Sequence, residues 1–154
     1  APWHPLLPGT IRRILRFANI RPGETICDLG CGEGRVLITS AKEFFTRAIG
    51  VEIDPIKVVI ARLLARINGV SDRVQIVRGN MFDFDPGSAD VLYLYLTHQA
   101  MDRLFPEILK KLKPSVRIVS YRFCLRGMTP DKVSEDKTLF LYQLDKGTKI
   151  NTYH

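Results

Sequence analysis

The residues with the clearest chemical capacity are acids set against glycines. In Asp28-Leu29-Gly30-Cys31-Gly32-Glu33-Gly34 a carboxylate stands directly before three alternating glycines. Glycine permits positive φ and lets the backbone come within contact distance of a ligand, so this stretch reads as a binding turn. A dinucleotide fingerprint would need a third glycine where Arg35 stands, and no Gly-Lys-Ser/Thr follows to cradle a phosphate. Asp28 would repel a pyrophosphate and attract a cation. S-adenosylmethionine carries a sulfonium and an ammonium but no phosphate, and its charges match.

Two further stretches extend the same site. Glu52 lies 18 residues beyond Gly34, where an acid meets ribose hydroxyls held by the first turn. Its two oxygens can accept from both the 2′- and the 3′-hydroxyl. Ile53 beside it joins the contact set, whereas Asp54 reads as a surface cap for the next helix. In Gly79-Asn80-Met81-Phe82 a polar side chain can read the adenine amino group beside an apolar wall, which assigns Asn80 and Met81 to the base. Asp83 and Asp85 read as turn formers. The expected cofactor set is Asp28, Gly30, Cys31, Gly32, Gly34, Glu52, Ile53, Asn80 and Met81, with no metal ligands.

These turns need strands to hold them. Thr25 to Leu29, Ala48 to Glu52, Val74 to Arg78, Val91 to Leu96 and Val116 to Tyr121 read as five buried strands. Helices intervene: one from a Thr10 cap with Ile11, Ile14, Leu15 and Ala18 on its inner face, and one with Leu37, Ala41, Phe44 and Phe45 inward. A third begins at Asp54-Pro55 and shows a stripe of Ile56, Val59, Ile60, Leu63, Leu64 and Ile67. A fourth, through Met101 to Leu112, meets Pro106, where a kink or restart is expected. Alternating strands and helices predict an α/β fold: a doubly wound, mostly parallel, Rossmann-like sheet. Thr138 to Leu144 follows without a helix and predicts antiparallel edge strands near the C-terminus. The opening Pro2-Trp3-His4-Pro5-Leu6-Leu7-Pro8 reads as an extended arm over residues 1–9, expected to fold over the cofactor. Residues 1–154 read as one domain, of the size at which about 68–70% of the unfolded surface can be buried.

In this order, Asp-Leu-Gly-Cys-Gly-Glu-Gly, Val-Glu-Ile-Asp-Pro and Gly-Asn-Met-Phe resemble the class I (seven-stranded) S-adenosylmethionine-dependent methyltransferases over roughly Ile20 to Tyr121. The resemblance implies that Asp28 and the 30–34 turn hold the methionine part, Glu52 the ribose, and Asn80 with Met81 the adenine. Many members carry Asp where this chain has Asn80, and an amide oxygen still accepts from an amino group. The short length, the aromatic arm, and Val119-Ser120-Tyr121-Arg122-Phe123 before Arg126-Gly127-Met128 look similar to the small archaeal protein-lysine methyltransferases. Relatives of those include mitochondrial enzymes acting on carrier and ATP synthase proteins. This implies transfer of methyl groups to protein lysines, with S-adenosylhomocysteine as product.

The residues themselves narrow the acceptor. After the fourth strand, the stretch Tyr93 to Gln99 lacks the Asn/Asp-Pro-Pro-Tyr clamp of exocyclic base methylation, and no cysteine pair is placed for attack on a pyrimidine. A lysine amine costs about 4.6 kcal/mol to present neutral at pH 7, and burial beside positive charge lowers that cost. Tyr95, Thr97 and His98 are the candidates for the acceptor channel, with Tyr95 or His98 able to accept a proton; both also read as ordinary core or capping residues. No residues are left over for a lid, which suits a macromolecular acceptor. The net charge of +7 and pI near 9.5 fit a soluble surface or an acidic partner, so an RNA methyltransferase is the alternative. A non-catalytic, cofactor-binding activator of a partner enzyme is a further one. Three cysteines without Cys-x-x-Cys spacing argue against a disulfide framework, no apolar stretch approaches a membrane span, and a cytoplasmic location is expected.

Overall fold

The computed structural model describes residues 6–144. Its strands are apolar on both faces, as a sheet covered on two sides requires. Ile26, Tyr93 and Val119 enter one core, and Cys27, Leu92 and Ile118 enter the other. In chain order the elements are α1 (Pro8–Phe17), β1 (Thr25–Leu29), α2 (Arg35–Phe44), β2 (Arg47–Glu52), α3 (Pro55–Ile67) and β3 (Val74–Arg78). There follow β4 (Val91–Leu94), α4 (His98–Leu109), β5 (Arg117–Tyr121), β6 (Lys132–Val133) and β7 (Leu139–Gln143).

The seven strands lie in the order β3-β2-β1-β4-β5-β7-β6, and the first five are parallel. β7 runs antiparallel to β5 and to β6. Strand order reverses between β1 and β4, so the crevice for a ligand opens at the carboxyl ends of these strands. Helices α1, α2 and α3 pack on one face, and among the described residues α4 is the one helix on the other, with Phe82, Phe123 and Met128 beside it. β3 and β4 are joined by a loop with no helix. Bidentate hydrogen bonds from Arg117 on β5 to Glu24, at 2.7 and 2.8 Å, tie the sheet to the turn before β1.

Several expectations need correction. The strand around residue 140 is not an edge strand: β7 lies between β5 and the two-residue β6, and Tyr142 is fully buried, its hydroxyl accepting from the Leu125 N–H at 2.8 Å. α1 starts at Pro8, not after Thr10, because proline needs no N–H partner in a first turn and its φ is already helical. α4 runs through Pro106 to Leu109 as one helix, so it does not restart there. The stripe expected to be the inner face of α3 is largely outside. Ile56, Val59, Leu63 and Ile67 are exposed, while Val58, Ala61 and Ala65 face the sheet. The small residues win because α3 lies close to the turn after β1: a methyl built on Gly34 would sit 3.3 Å from Ala61 Cβ. Pro2, Trp3, His4 and Pro5 of the expected arm lie outside the described residues.

Gly50 in β2 sets how tightly the turn after β1 packs. A methyl there would lie 2.5 Å from Leu37 Cδ1 and 2.8 Å from Cys31 Cβ. Gly50→Ala is expected to cost about 1–3 kcal/mol by overpacking. In a chain of this size that lowers the unfolding midpoint by about 3–9 °C, measurable by scanning calorimetry.

Candidate functional site

The turn after β1 is built by its neighbour β2. The N–H groups of Gly30 and Cys31 both donate to the Val51 carbonyl, at 2.9 and 3.0 Å. Gly30, Gly32 and Gly34 all take positive φ, 77°, 56° and 76°, which explains the alternating spacing. Gly34 is the N-cap residue of α2, so the helix N-terminus faces the same space. One oxygen of Glu52 accepts from the Gly32 N–H and the other from the Asp54 N–H, both at 2.9 Å. Asp54 in turn caps α3 through the Ile56 N–H at 2.9 Å. The side chain at the end of β2 thus fixes the shape of the turn after β1.

These elements enclose a cleft of about 420 Å³, within the usual range for a small-molecule site. Of the expected cofactor residues, Asp28, Gly30, Cys31, Gly32, Glu52, Ile53, Asn80 and Met81 line it. Gly34 does not; its place is the backbone reversal into α2. Asn80 Oδ1 accepts from the Phe82 N–H at 3.0 Å, which shapes the loop after β3 and leaves a second lone pair on that oxygen. Met81 reaches toward the first turn, its Cε 3.8 Å from where a Gly30 Cβ would sit.

The acceptor candidates separate. Tyr95 lines the cleft, but Thr97 and His98 do not. The Thr97 hydroxyl caps α4, accepting from the Ala100 N–H at 3.2 Å, and His98 opens that helix with its ring edge-on to Phe123 at 5.2 Å. Tyr93, buried in the core, also lines the cleft. So do Leu6 and Lys57, which the spacing of motifs did not single out. Leu6 belongs to the expected arm; of the rest of it, Leu7 is exposed and Pro8 and Gly9 are part of α1. The period-two alternation from Tyr95 back to Tyr93 was the available signal for the second tyrosine.

The electrostatics are dominated by buried acid. Asp28 and Glu52 are 5% and 9% exposed. Burial, with the Glu52 charge beside it, pushes the Asp28 carboxyl up to about 8. Burial also pushes the Cys27 and Cys31 thiols up, so neither is a thiolate nucleophile at neutral pH. Two buried carboxyls, a turn of backbone amides and an apolar wall suit a cationic, hydroxyl-bearing, aromatic ligand. The residues fit S-adenosylmethionine.

The sheet order and this cleft define an S-adenosylmethionine-dependent methyltransferase of the Rossmann-like class. Residues 28–132 match the ANTKMT methyltransferase domain, and the chain belongs to that family. It is 36% identical over 148 residues to the protein-lysine N-methyltransferase of Saccharolobus islandicus, covering 92% of each chain. It is 26% identical to a human lysine N-methyltransferase of an ATP synthase subunit, over 94% of this chain and 62% of that one. Among solved structures, an RNA methyltransferase from Salinibacter ruber, in complex with S-adenosyl-L-homocysteine, superposes with a TM-score of 0.88. That protein is 31% identical, with 93% of this chain and 95% of the other covered.

The raised Asp28 has a stability consequence. Its folded value lies above the ordinary 3.8, so its contribution is fully present below that value and lost as pH rises toward about 8. The loss proceeds at up to about 1.4 kcal/mol per pH unit. Asp28→Asn is therefore expected to flatten the fall in stability between pH 5 and 8 and to raise the midpoint at pH 7.5. Denaturant titrations of the ligand-free protein across that range check it.

Proposed function

We propose that this methyltransferase transfers methyl groups from S-adenosylmethionine to lysine side chains of proteins. The reading is carried by the chain-length likeness to the Saccharolobus protein-lysine N-methyltransferase. The site supports it: the chain has no base-clamping Pro-Pro-Tyr motif after β4, and aromatic Phe82, Tyr93 and Tyr95 line the cleft. We further infer a cytoplasmic enzyme, on the strength of three free cysteines.

When bound, the cofactor supplies an electrophilic methyl on a sulfonium. The chain's own residues align and dry the approach of an uncharged nucleophile. Asp28 and the 30–34 turn hold the methionine part, Glu52 the ribose hydroxyls, and Asn80 with Met81 the adenine. A cation arriving beside Asp28 favours its ionised form. A lysine amine entering along Tyr95 meets an apolar surface near a positive charge, and both lower its pKa toward neutrality. A dedicated base is then unnecessary.

An RNA acceptor is the second reading, favoured by the likeness to the Salinibacter RNA methyltransferase. Several of the basic side chains already have partners within the chain. Arg12 is paired with Glu43 at 2.8 Å, Arg13 with Asp136 at 2.6 Å, and Arg62 donates to the Ile76 carbonyl at 2.8 Å.

Three outcomes are expected. Mass spectrometry of protein targets incubated with the cofactor shows ~14-Da steps on lysine (one methylene per transfer); label confined to RNase-sensitive material means the acceptor is RNA. The rate climbs about tenfold per pH unit below the effective pKa of the amine and then flattens. Glu52→Ala weakens cofactor binding by at least about ten- to a hundredfold: about 1.5–3 kcal/mol for hydrogen bonds to a charged acceptor, with the Gly32 and Asp54 N–H groups released as well. Calorimetry on the folded variant measures it.

A further inference from the structure

The cleft contains a buried polar atom to which the cofactor contacts give no task. Tyr93 is 2% exposed, lines the cleft, and its hydroxyl has no hydrogen-bond partner among the described residues. Leaving a buried hydroxyl unpaired costs about 1–3 kcal/mol, so an orphan in a cleft calls for a ligand as its partner. Tyr95 lines the same cleft two residues along, its ring tilted 42° against Tyr121 with centroids 5.1 Å apart.

Strand order says which part of a ligand Tyr93 meets. The base residues follow β3, the ribose acid ends β2, and the acid-glycine turn follows β1. β4 is the next strand in the sheet, and Tyr93 is in register with Asp28 across it. A cofactor laid in that order turns its sulfonium end toward β4. Cationic groups already have Asp28 and Glu52. Burial keeps the Tyr93 phenol protonated and uncharged, with Asp28 and the neighbouring tyrosines reinforcing this. A neutral oxygen with free lone pairs suits an amine N–H.

We propose that Tyr93 is the acceptor-amine contact: its hydroxyl oxygen accepts an N–H from the incoming lysine Nζ, with the Tyr95 ring as the adjoining wall. This deepens the lysine reading and rests on it. Held by one N–H, the nitrogen points its lone pair at the methyl carbon. The N–C bond forms as the C–S bond breaks, the electron pair passes to sulfur, and the product ammonium releases its surplus proton to water. A primary amine has two N–H groups, a monomethylated one has one, and a dimethylated one has none. Tyr93 therefore assists the first two transfers and not the third.

Tyr93→Phe removes the oxygen and keeps the ring. Calorimetry with two probes reads the contact directly: S-adenosylhomocysteine, and sinefungin, in which a carbon replaces the sulfur and an amine on it replaces the methyl. The expected result is S-adenosylhomocysteine affinity within twofold of the parent and sinefungin affinity down about tenfold. The unfolding midpoint of the ligand-free variant should be unchanged or higher, since an unpaired buried hydroxyl is gone. On the acceptor protein labelled in cell extract, kcat should fall about tenfold with unmodified lysine and less than twofold with dimethylated lysine. Equal weakening of both probes would assign Tyr93 to the cofactor; no change in either, equal losses on both acceptors, or a variant that fails to fold would make it a core residue. Each of these overturns the proposal. If the parent protein labels no lysine while sinefungin binding still falls selectively, the lysine reading fails and the amine contact at Tyr93 stands.

Discussion

The carboxylate of Glu52 bonds two backbone amides that belong to different elements, Gly32 after β1 and Asp54 before α3. Those bonds, with the shared Val51 carbonyl below them, hold three glycines in left-handed conformations next to a helix N-terminus. Gly50, one residue before Val51, leaves the space that Cys31 and Leu37 fill. The β1 turn is thus shaped by the strand beside it. Asp28 can be held buried at the base of the cleft only because that turn closes over it.

Three unfavourable features of the molecule lie at this one end of the sheet. A carboxyl pushed out of its usual range, a second acid nearly buried, and a tyrosine hydroxyl without a partner all lie at or near the carboxyl ends of β1, β2 and β4. At the opposite end charges are paired: Arg117 bonds both oxygens of Glu24, and Asp90 accepts from the Thr25 N–H at 2.7 Å and pairs with Lys113. Sites that break local rules are where a fold gives up stability for function. A cation and an amine are the kinds of ligand that would relieve these particular strains.

The acceptor side is built from few parts. Tyr93 and Tyr95 stand on the α1–α3 face of the sheet, and Thr97 is used up in capping α4. What remains beside the cleft at β4 is aromatic and neutral. Such a wall aligns and desolvates an amine instead of taking its proton.

Parallel strands, the acid-glycine turn and the acid that ends β2 were legible in the sequence because each is a local pattern: continuous apolar runs, alternating glycines, and an acid at the end of the next strand. The start of α1 and the continuation of α4 through Pro106 were less so, since a proline signals a boundary without saying on which side the helix lies. The stripe of α3 misled because that helix is apolar on two faces. Bulk marked Ile56, Val59, Leu63 and Ile67 as core, yet only alanine-sized residues fit against the turn at Gly34. β7 read as an edge because sequence order says nothing about insertion between strands. Composition and local spacing determined the class of fold and the cofactor-bearing turns. Which face of α3 is buried, that His98 stands outside the cleft, and that Tyr93 faces into it were decided by tertiary packing, because each depends on distances between segments far apart in the chain.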